Sequence, residues 1–215
     1  MKISSVIFDM DGVIIDSEPQ WAKAQIDALA NFGIHITIHT CEQLTRGQRI
    51  DEIANIWIEH FNLPTTTQIL ADTILTRAHQ AILQEGKPMF GLYELLNYLK
   101  AKQIKMAVAT SSPPIIIQAV FDKLKLWDYF AFQCSANDEP FGKPHPAVYL
   151  KTIEKLGIPA KESLVIEDSV VGLIAAKAAN LRTFVVNTQY QNAQFAIADA
   201  QFPTLLDVLK KLEED

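Results

Sequence analysis

The sequence predicts an α/β fold: a doubly wound parallel sheet with an all-helical block inserted near its beginning. Three observations carry this. From Gly86 onward, apolar runs of strand length alternate with segments of helical periodicity, the pattern of a parallel sheet covered on both faces. Residues 17–85 keep helical periodicity almost throughout and contain no convincing strand. Ahead of them stands Val6-Ile7-Phe8, a β-branched and aromatic run with no strand partner in the helical block, so it must join the later sheet.

In chain order, Ser17-Glu18-Pro19-Gln20 reads as a capping box with proline in the first turn. It opens a helix to about residue 31, with Trp21, Ala24, Ala28 and Phe32 on one face and Ala22, Ile26 and Leu29 on the next. The alternation over 34–38 is too short to stand as a strand. A second helix over 49–61 places Ile50, Ile53, Ala54, Trp57 and Phe61 at helical spacing, and Pro64 with three threonines ends it. A third runs to about residue 83 with Leu70, Ile74, Ala78, Ala81 and Ile82 inward. Helix 91–102, strand 104–109, helix 113–124, strand 130–135, helix 146–156, strand 164–166, helix 170–180 and strand 183–186 then alternate. The expected division is a core of residues 1–15 and 87–215 around a cap domain of residues 16–86. Its hinges are expected at 13–16 and 85–91, two crossings that let the insert open and close.

A chain of 215 residues and 24.1 kDa fits one large domain or a core with one modest insertion. With 49% hydrophobic and 20% charged residues it can bury a sizeable core, which argues against disorder. A net charge of −6 and a pI near 5.4 argue against nucleic acid or an anionic membrane as the main partner. A small anionic substrate stays open, because it responds to the local field. Cys41 and Cys134 show no metal-ligand spacing and no disulfide framework, so a reducing cytoplasm is the expected compartment. The apolar N-terminal run is broken by Asp9 and Asp11, which no secretory core would be, and no apolar run is long enough to span a bilayer. A soluble monomer is expected.

Chemistry concentrates where the predicted strands end, the edge at which doubly wound sheets bind ligands. After Val6-Ile7-Phe8 come Asp9-Met10-Asp11-Gly12. Two carboxylates ~4 Å apart at an effective dielectric of ~20 repel by roughly 4 kcal/mol, a cost that a bound divalent cation removes. They either cap a turn or hold such a cation. Thr110-Ser111-Ser112 follows a second strand and offers hydroxyls and amides to an anion, or simply an N-cap at Ser112. Glu167-Asp168-Ser169 ends a third strand and repeats the paired acids, which either cap the next helix or add to a cation site. Lys143, fixed between Gly142 and Pro144, either neutralises these carboxylates and a bound phosphate or is a solvated surface lysine. Four carboxylates and a phosphate dianion total about −6 if all are ionised, more than Lys143 can offset, and Mg²⁺ suits such oxygen ligands.

Taken in order, Asp-Met-Asp-Gly, Ala-Thr-Ser-Ser, Gly-Lys-Pro-His-Pro and Glu-Asp-Ser resemble the four motifs of the haloacid-dehalogenase superfamily, over essentially the whole chain. Within it the chain is similar to the β-phosphoglucomutase-like branch and its bacterial 2-deoxyglucose-6-phosphate (hexitol) phosphatases. Their Asp-Ser-Glu-Pro-x-Trp and Gly-x-Arg-Ile-Asp segments match residues 16–21 and 47–51. The resemblance implies a Rossmann-like core with a helical cap and Mg²⁺-dependent hydrolysis of a small phosphorylated sugar or polyol. By the same resemblance, Asp9 attacks phosphorus and carries an aspartyl-phosphate, while Asp11 protonates the leaving oxygen and then activates water. Thr110, the Ser111 amide and Lys143 hold the phosphoryl group. Mg²⁺ is held by Asp9, the Asp11 carbonyl and Asp168, with Glu167 in or beside its shell. Asp11 sets dehalogenation aside, because dehalogenases lack that second aspartate.

Specificity is expected from the cap residues Glu18, Trp21, Arg46, Gln48 and Arg49. Trp21 either contacts substrate or only packs, and Arg49 either faces substrate or pairs with a nearby acid such as Glu52. Mutases of the branch carry histidine where Trp21 stands, so its presence favours release to water. A phosphosugar mutase and a non-catalytic phospholigand-binding protein are the alternatives.

Overall fold

The computed structural model describes residues 3–214. β1 (Ser5–Phe8) leads through a tight turn to β2 (Ile15–Asp16), then α1 (Glu18–Ala30), α2 (Ile38–Leu44), α3 (Ile50–Phe61) and α4 (Thr67–Glu85). β3 (Lys87–Pro88) returns the chain to the sheet region. There follow α5 (Leu92–Ala101), β4 (Lys105–Thr110), α6 (Pro114–Leu124), β5 (Gln133–Ser135), α7 (Ala147–Leu156), β6 (Ser163–Glu167) and α8 (Val170–Ala178). β7 (Arg182–Val186), β8 (Ala200–Phe202) and α9 (Leu205–Glu214) complete the order.

The six-stranded sheet runs β5-β4-β1-β6-β7-β8 with every neighbouring pair parallel, so β4 lies on one side of β1 and β6 on the other. β1 is buried on both faces, and its side chains alternate as a pleated strand requires. Val6 and Phe8 enter the apolar cluster shared with α5, α6 and α9, while Ile7 enters the opposite one with α7 and α8. Fully burying each such side chain is worth ~1.5–3 kcal/mol. Register fixes the functional edge: Phe8 pairs with Val108 and Ile166, so Asp9, Ala109 and Glu167 emerge at one level.

The helical block has an apolar cluster of its own, including Ala28, Leu29, Trp57, Ile74 and Ala78. Its buried polar centre is Gln25, whose Oε1 accepts from Trp57 Nε1 at 2.8 Å and from Thr45 Oγ1 at 2.9 Å.

Several local expectations are corrected. Residues 38–44 form α2, with the Thr37 hydroxyl accepting from the Thr40 amide; β-branched residues hid the helix. Ser17 caps α1 by position but forms no capping box, because its hydroxyl is engaged elsewhere. The two crossings pair as an antiparallel ribbon, β2 with β3, which two-residue strands could not announce. Strand β8 and helix α9 extend the core beyond the last expected strand.

Candidate active site

The ends of β1 and β6 meet a lysine from the loop between β5 and α7. Lys143 is 2% exposed, and its Nζ donates to Asp9 Oδ1 at 2.9 Å, to Glu167 Oε1 at 2.6 Å and to the Ala109 carbonyl at 3.2 Å. The surface-lysine alternative is thereby removed. Glu167 is saturated: Tyr149 Oη donates to Oε1 at 2.6 Å, and Oε2 accepts from the Asp168 and Ser169 amides and the Ser169 hydroxyl. A Cβ at Gly172 would collide with this carboxylate, so glycine there lets α8 close onto it. Neither Glu167 nor Asp168 caps α8, because the Ser169 hydroxyl takes the Gly172 amide at 3.1 Å.

Charge and burial compete sharply at this point. Burial would lower the Lys143 ammonium, but the Asp9 and Glu167 carboxylates outweigh it and hold it above its usual value. Burial also opposes ionisation of Glu167, yet Lys143 and the Tyr149 hydroxyl keep it below the usual carboxylate range. Asp9 is pushed well above that range, by burial first and against Lys143, with Glu167, Asp168 and Asp11 adding to it. Asp168 rises to about 6, again by burial, which Arg46 partly opposes. Oxygens of Asp9, Glu167 and Asp168 lie within 4.8 Å of one another, all three residues buried. An all-oxygen set of this kind fits a hard dication such as Mg²⁺ better than a soft one.

Asp11 is held by three donors. Ser17 Oγ and Trp21 Nε1 reach Oδ1 at 2.5 and 2.9 Å, and Ser112 Oγ reaches Oδ2 at 2.6 Å. Trp21 therefore does more than pack. Ser112 is not the α6 cap, which is Pro113; its hydroxyl serves Asp11 and its amide donates to Thr110 Oγ1 at 3.0 Å. Thr110 and Ser111 sit in the same buried turn, with Ser111 Oγ donating to the Gly47 carbonyl of the insert at 2.7 Å.

The insert closes the site. A cavity of about 260 Å³ lies between the sheet edge and α1–α3, lined by Asp9, Asp11, Asp168, Glu18, Trp21 and Arg46, with Gln48 also on its wall. Arg46 reaches across to Asp168: Nε donates to Oδ2 at 3.1 Å, Nη2 pairs with the same oxygen, and Glu18 lies 3.9 Å away. A second cation thus opposes the carboxylates, where the sequence had offered only Lys143. Glu18 is pushed up to about 8 by burial and then by Asp168, with Arg46 opposing. Of the two readings of Arg49, the structure shows pairing with a nearby acid, and the residue is absent from the cavity wall. Its guanidinium bonds Asp51 at 2.7 Å and the Ala136 and Glu139 carbonyls at 3.2 and 2.9 Å, fastening the insert to the core.

Sequence reasoning missed Tyr149, the bonds of Ser17 and Ser112 to Asp11, and the Arg46–Asp168 pair. Tyr149 reads as an ordinary inward aromatic of α7, and only the loop preceding it, with Lys143, hints otherwise.

Comparison with known proteins gives a consistent result. The family model described as haloacid dehalogenase-like hydrolase matches residues 6–186. Hexitol phosphatase B of Escherichia coli is 34% identical over 98% of this chain and 96% of that protein. A phosphorylated carbohydrates phosphatase of Thermotoga maritima is 32% identical over 83% of this chain and 82% of that protein. Among solved structures, a β-phosphoglucomutase from Clostridium difficile superposes with a TM-score of 0.86 at 24% identity, covering 99% of this chain and 96% of that one.

Proposed function

This chain belongs to the haloacid dehalogenase-like hydrolases, as a phosphatase of phosphoric monoesters, and we propose that its substrates are small hexose or hexitol monophosphates, cleaved with Mg²⁺ through a phosphoryl group carried on Asp9. The carrying observation is Lys143 Nζ bridging Asp9 and Glu167 inside a cluster of buried carboxylate oxygens.

Phosphoryl transfer asks chiefly for positioning and charge stabilisation. Asp9 Oδ is the nucleophile, and Lys143, its three N–H groups committed to Asp9, Glu167 and the Ala109 carbonyl, holds it in place and lends its positive charge to the phosphoryl group. Thr110 Oγ1 and the amide of Ser111 take its oxygens. Asp11, oriented by Ser17, Trp21 and Ser112, hands a proton to the leaving sugar oxygen and recovers one from the attacking water. Splitting the reaction at a covalent intermediate divides one hard step into two easier ones. Asp9, Asp168 and the Asp11 carbonyl would hold Mg²⁺, with Glu167 beside the shell because its oxygens already serve five donors. When bound, Mg²⁺ supplies the positive charge that offsets the carboxylates and the phosphate.

Hydrolysis is preferred to mutase transfer because Trp21, whose indole N–H donates and cannot accept a proton, stands beside Asp11. A cavity of about 260 Å³ lies at the small end of ligand pockets and suits one sugar unit. Residues 16–86 act as a cap domain over a core of 1–15 and 87–215, and Glu18, Trp21 and Arg46 face the sugar. The protein works as a cytoplasmic monomer. Among the described residues no helix is long and apolar enough to cross a membrane.

The test is phosphate release across hexose, pentose, polyol and small-acid phosphates, with Mg²⁺ and after EDTA. Release that favours hexose or hexitol esters and stops reversibly with EDTA is expected. Silence across the panel would favour a phospholigand-binding protein instead.

A further inference from the structure

Arg46 and a divalent cation want the same oxygen. Two nitrogens of the guanidinium end on Asp168 Oδ2, and that oxygen is the one wedged against Gly12, where a Cβ would collide with it. It therefore faces the turn that carries Asp9 and Asp11. Asp168 is 2% exposed, so little solvent stands by to screen a dication from a guanidinium beside it. The pair also spans the two halves of the molecule, because Arg46 belongs to the segment between α2 and α3. The same segment contributes the Gly47 carbonyl that accepts from Ser111 and the Arg49 side chain that bonds the 136–139 carbonyls.

We propose that Arg46 is a positioning residue that competes with the divalent cation for Asp168, so that metal loading displaces its guanidinium and loosens residues 46–49 from the core. Metal occupancy and insert position are thereby linked: the closed insert weakens metal binding, and the metal weakens closure by the same factor. The inference rests on Asp168 being a ligand of that cation.

The experiment is calorimetric titration of the full chain with Mg²⁺ alone, without substrate, for the wild type, Arg46→Gln and Arg46→Lys. Competition predicts that Arg46→Gln binds Mg²⁺ about tenfold more tightly, equivalent to ~1.4 kcal/mol, with Arg46→Lys between the two. A merely structural role predicts the opposite sign, since a distorted site binds less well. Hydrogen exchange gives a second reading: Mg²⁺ should speed exchange of amides 46–49 in the wild type and leave the already faster amides of Arg46→Gln unchanged. If Arg46→Gln does not fold, Arg46→Lys carries the same comparison. Equal or weaker Mg²⁺ binding by the folded variants overturns the proposal while leaving the metal site standing. Failure of the wild type to bind Mg²⁺ would remove the site itself, and the proposal with it.

Discussion

The two walls of the cavity are built on different principles. On the core side, Asp9 and Glu167 at the ends of adjacent paired strands are buried and bonded to Lys143 from the β5–α7 loop, and Glu167 also to Tyr149 of α7. On the insert side, Glu18, Trp21 and Arg46 reach in from a body with its own apolar centre, joined to the core by polar contacts and by packing of Trp21, Leu75 and Ile82 on the core cluster. On the proposed function this difference divides labour: the wall that would place the nucleophile is buried and cross-bonded, and the wall that would admit and choose a substrate belongs to a body with an apolar centre of its own.

The largest test of that contrast is Asp9→Asn. It should lower phosphate release by at least ~10³-fold while leaving the chain folded, because the amide is isosteric and its oxygen can still accept from Lys143. Substantial residual turnover would mean that the core wall does not supply the attacking group. Lys143→Met should differ by costing both activity and stability. Removing one partner of a buried charge cluster typically costs ~3–5 kcal/mol, to be read by urea denaturation. A variant as stable as the wild type would show that the core carboxylates do not depend on this lysine.

Tyr149→Phe keeps the ring under Lys143 and deletes only the hydroxyl on Glu167. A loss of about 2 kcal/mol is expected, as for a hydrogen bond to a charged group, with kcat falling and KM nearly constant. A change in KM alone would move Tyr149 from positioning the core wall to some other task.

Glu18 tests the insert wall by pH. Its folded carboxyl is pushed to about 8 from an ordinary 4.5, so between those values the folded chain keeps a proton that the unfolded chain loses. Stability therefore falls as pH rises across that window. Glu18→Gln should reduce the stability lost between about pH 5 and about pH 8 by ~1 kcal/mol, a figure discounted for partial exposure. Melts without divalent cation at about pH 5 and about pH 8 decide it, and an unchanged slope would place the carboxyl in solvent. The smallest effect belongs to Arg49→Ala. Since Arg49 fastens the insert and does not line the cavity, KM should rise for every substrate by a similar factor of about 2–5, and the ranking should hold. A reordered ranking would return Arg49 to the specificity set.

The same contrast explains what the sequence made legible. Asp9, Asp11, Thr110 and Asp168 were readable because charges and hydroxyls at the ends of buried strands violate the apolar pattern around them, and Lys143 because Gly142 and Pro144 fix it. The insert's share was legible in its residues but not in their partners: Glu18, Trp21, Arg46 and Gln48 were expected toward the site and line the cavity. Arg46 lies in a polar stretch where an arginine breaks no pattern, and its partner Asp168 is distant in sequence. Tyr149 satisfies the inward face of α7 so well that its hydroxyl's errand to Glu167 leaves no trace in periodicity. For Arg49 two readings stood open, and the structure takes the one in which it pairs with a nearby acid, Asp51.

The β2–β3 ribbon carries an evolutionary corollary. Entry and exit of the insert run side by side, Ile15 opposite Pro88 and Asp16 opposite Lys87, so both seams of the helical block fall at a single spot. A foreign module with adjacent termini could be spliced there without disturbing a strand of the main sheet. New selectivity can then be acquired by exchange of parts, while the reactive groups are inherited intact.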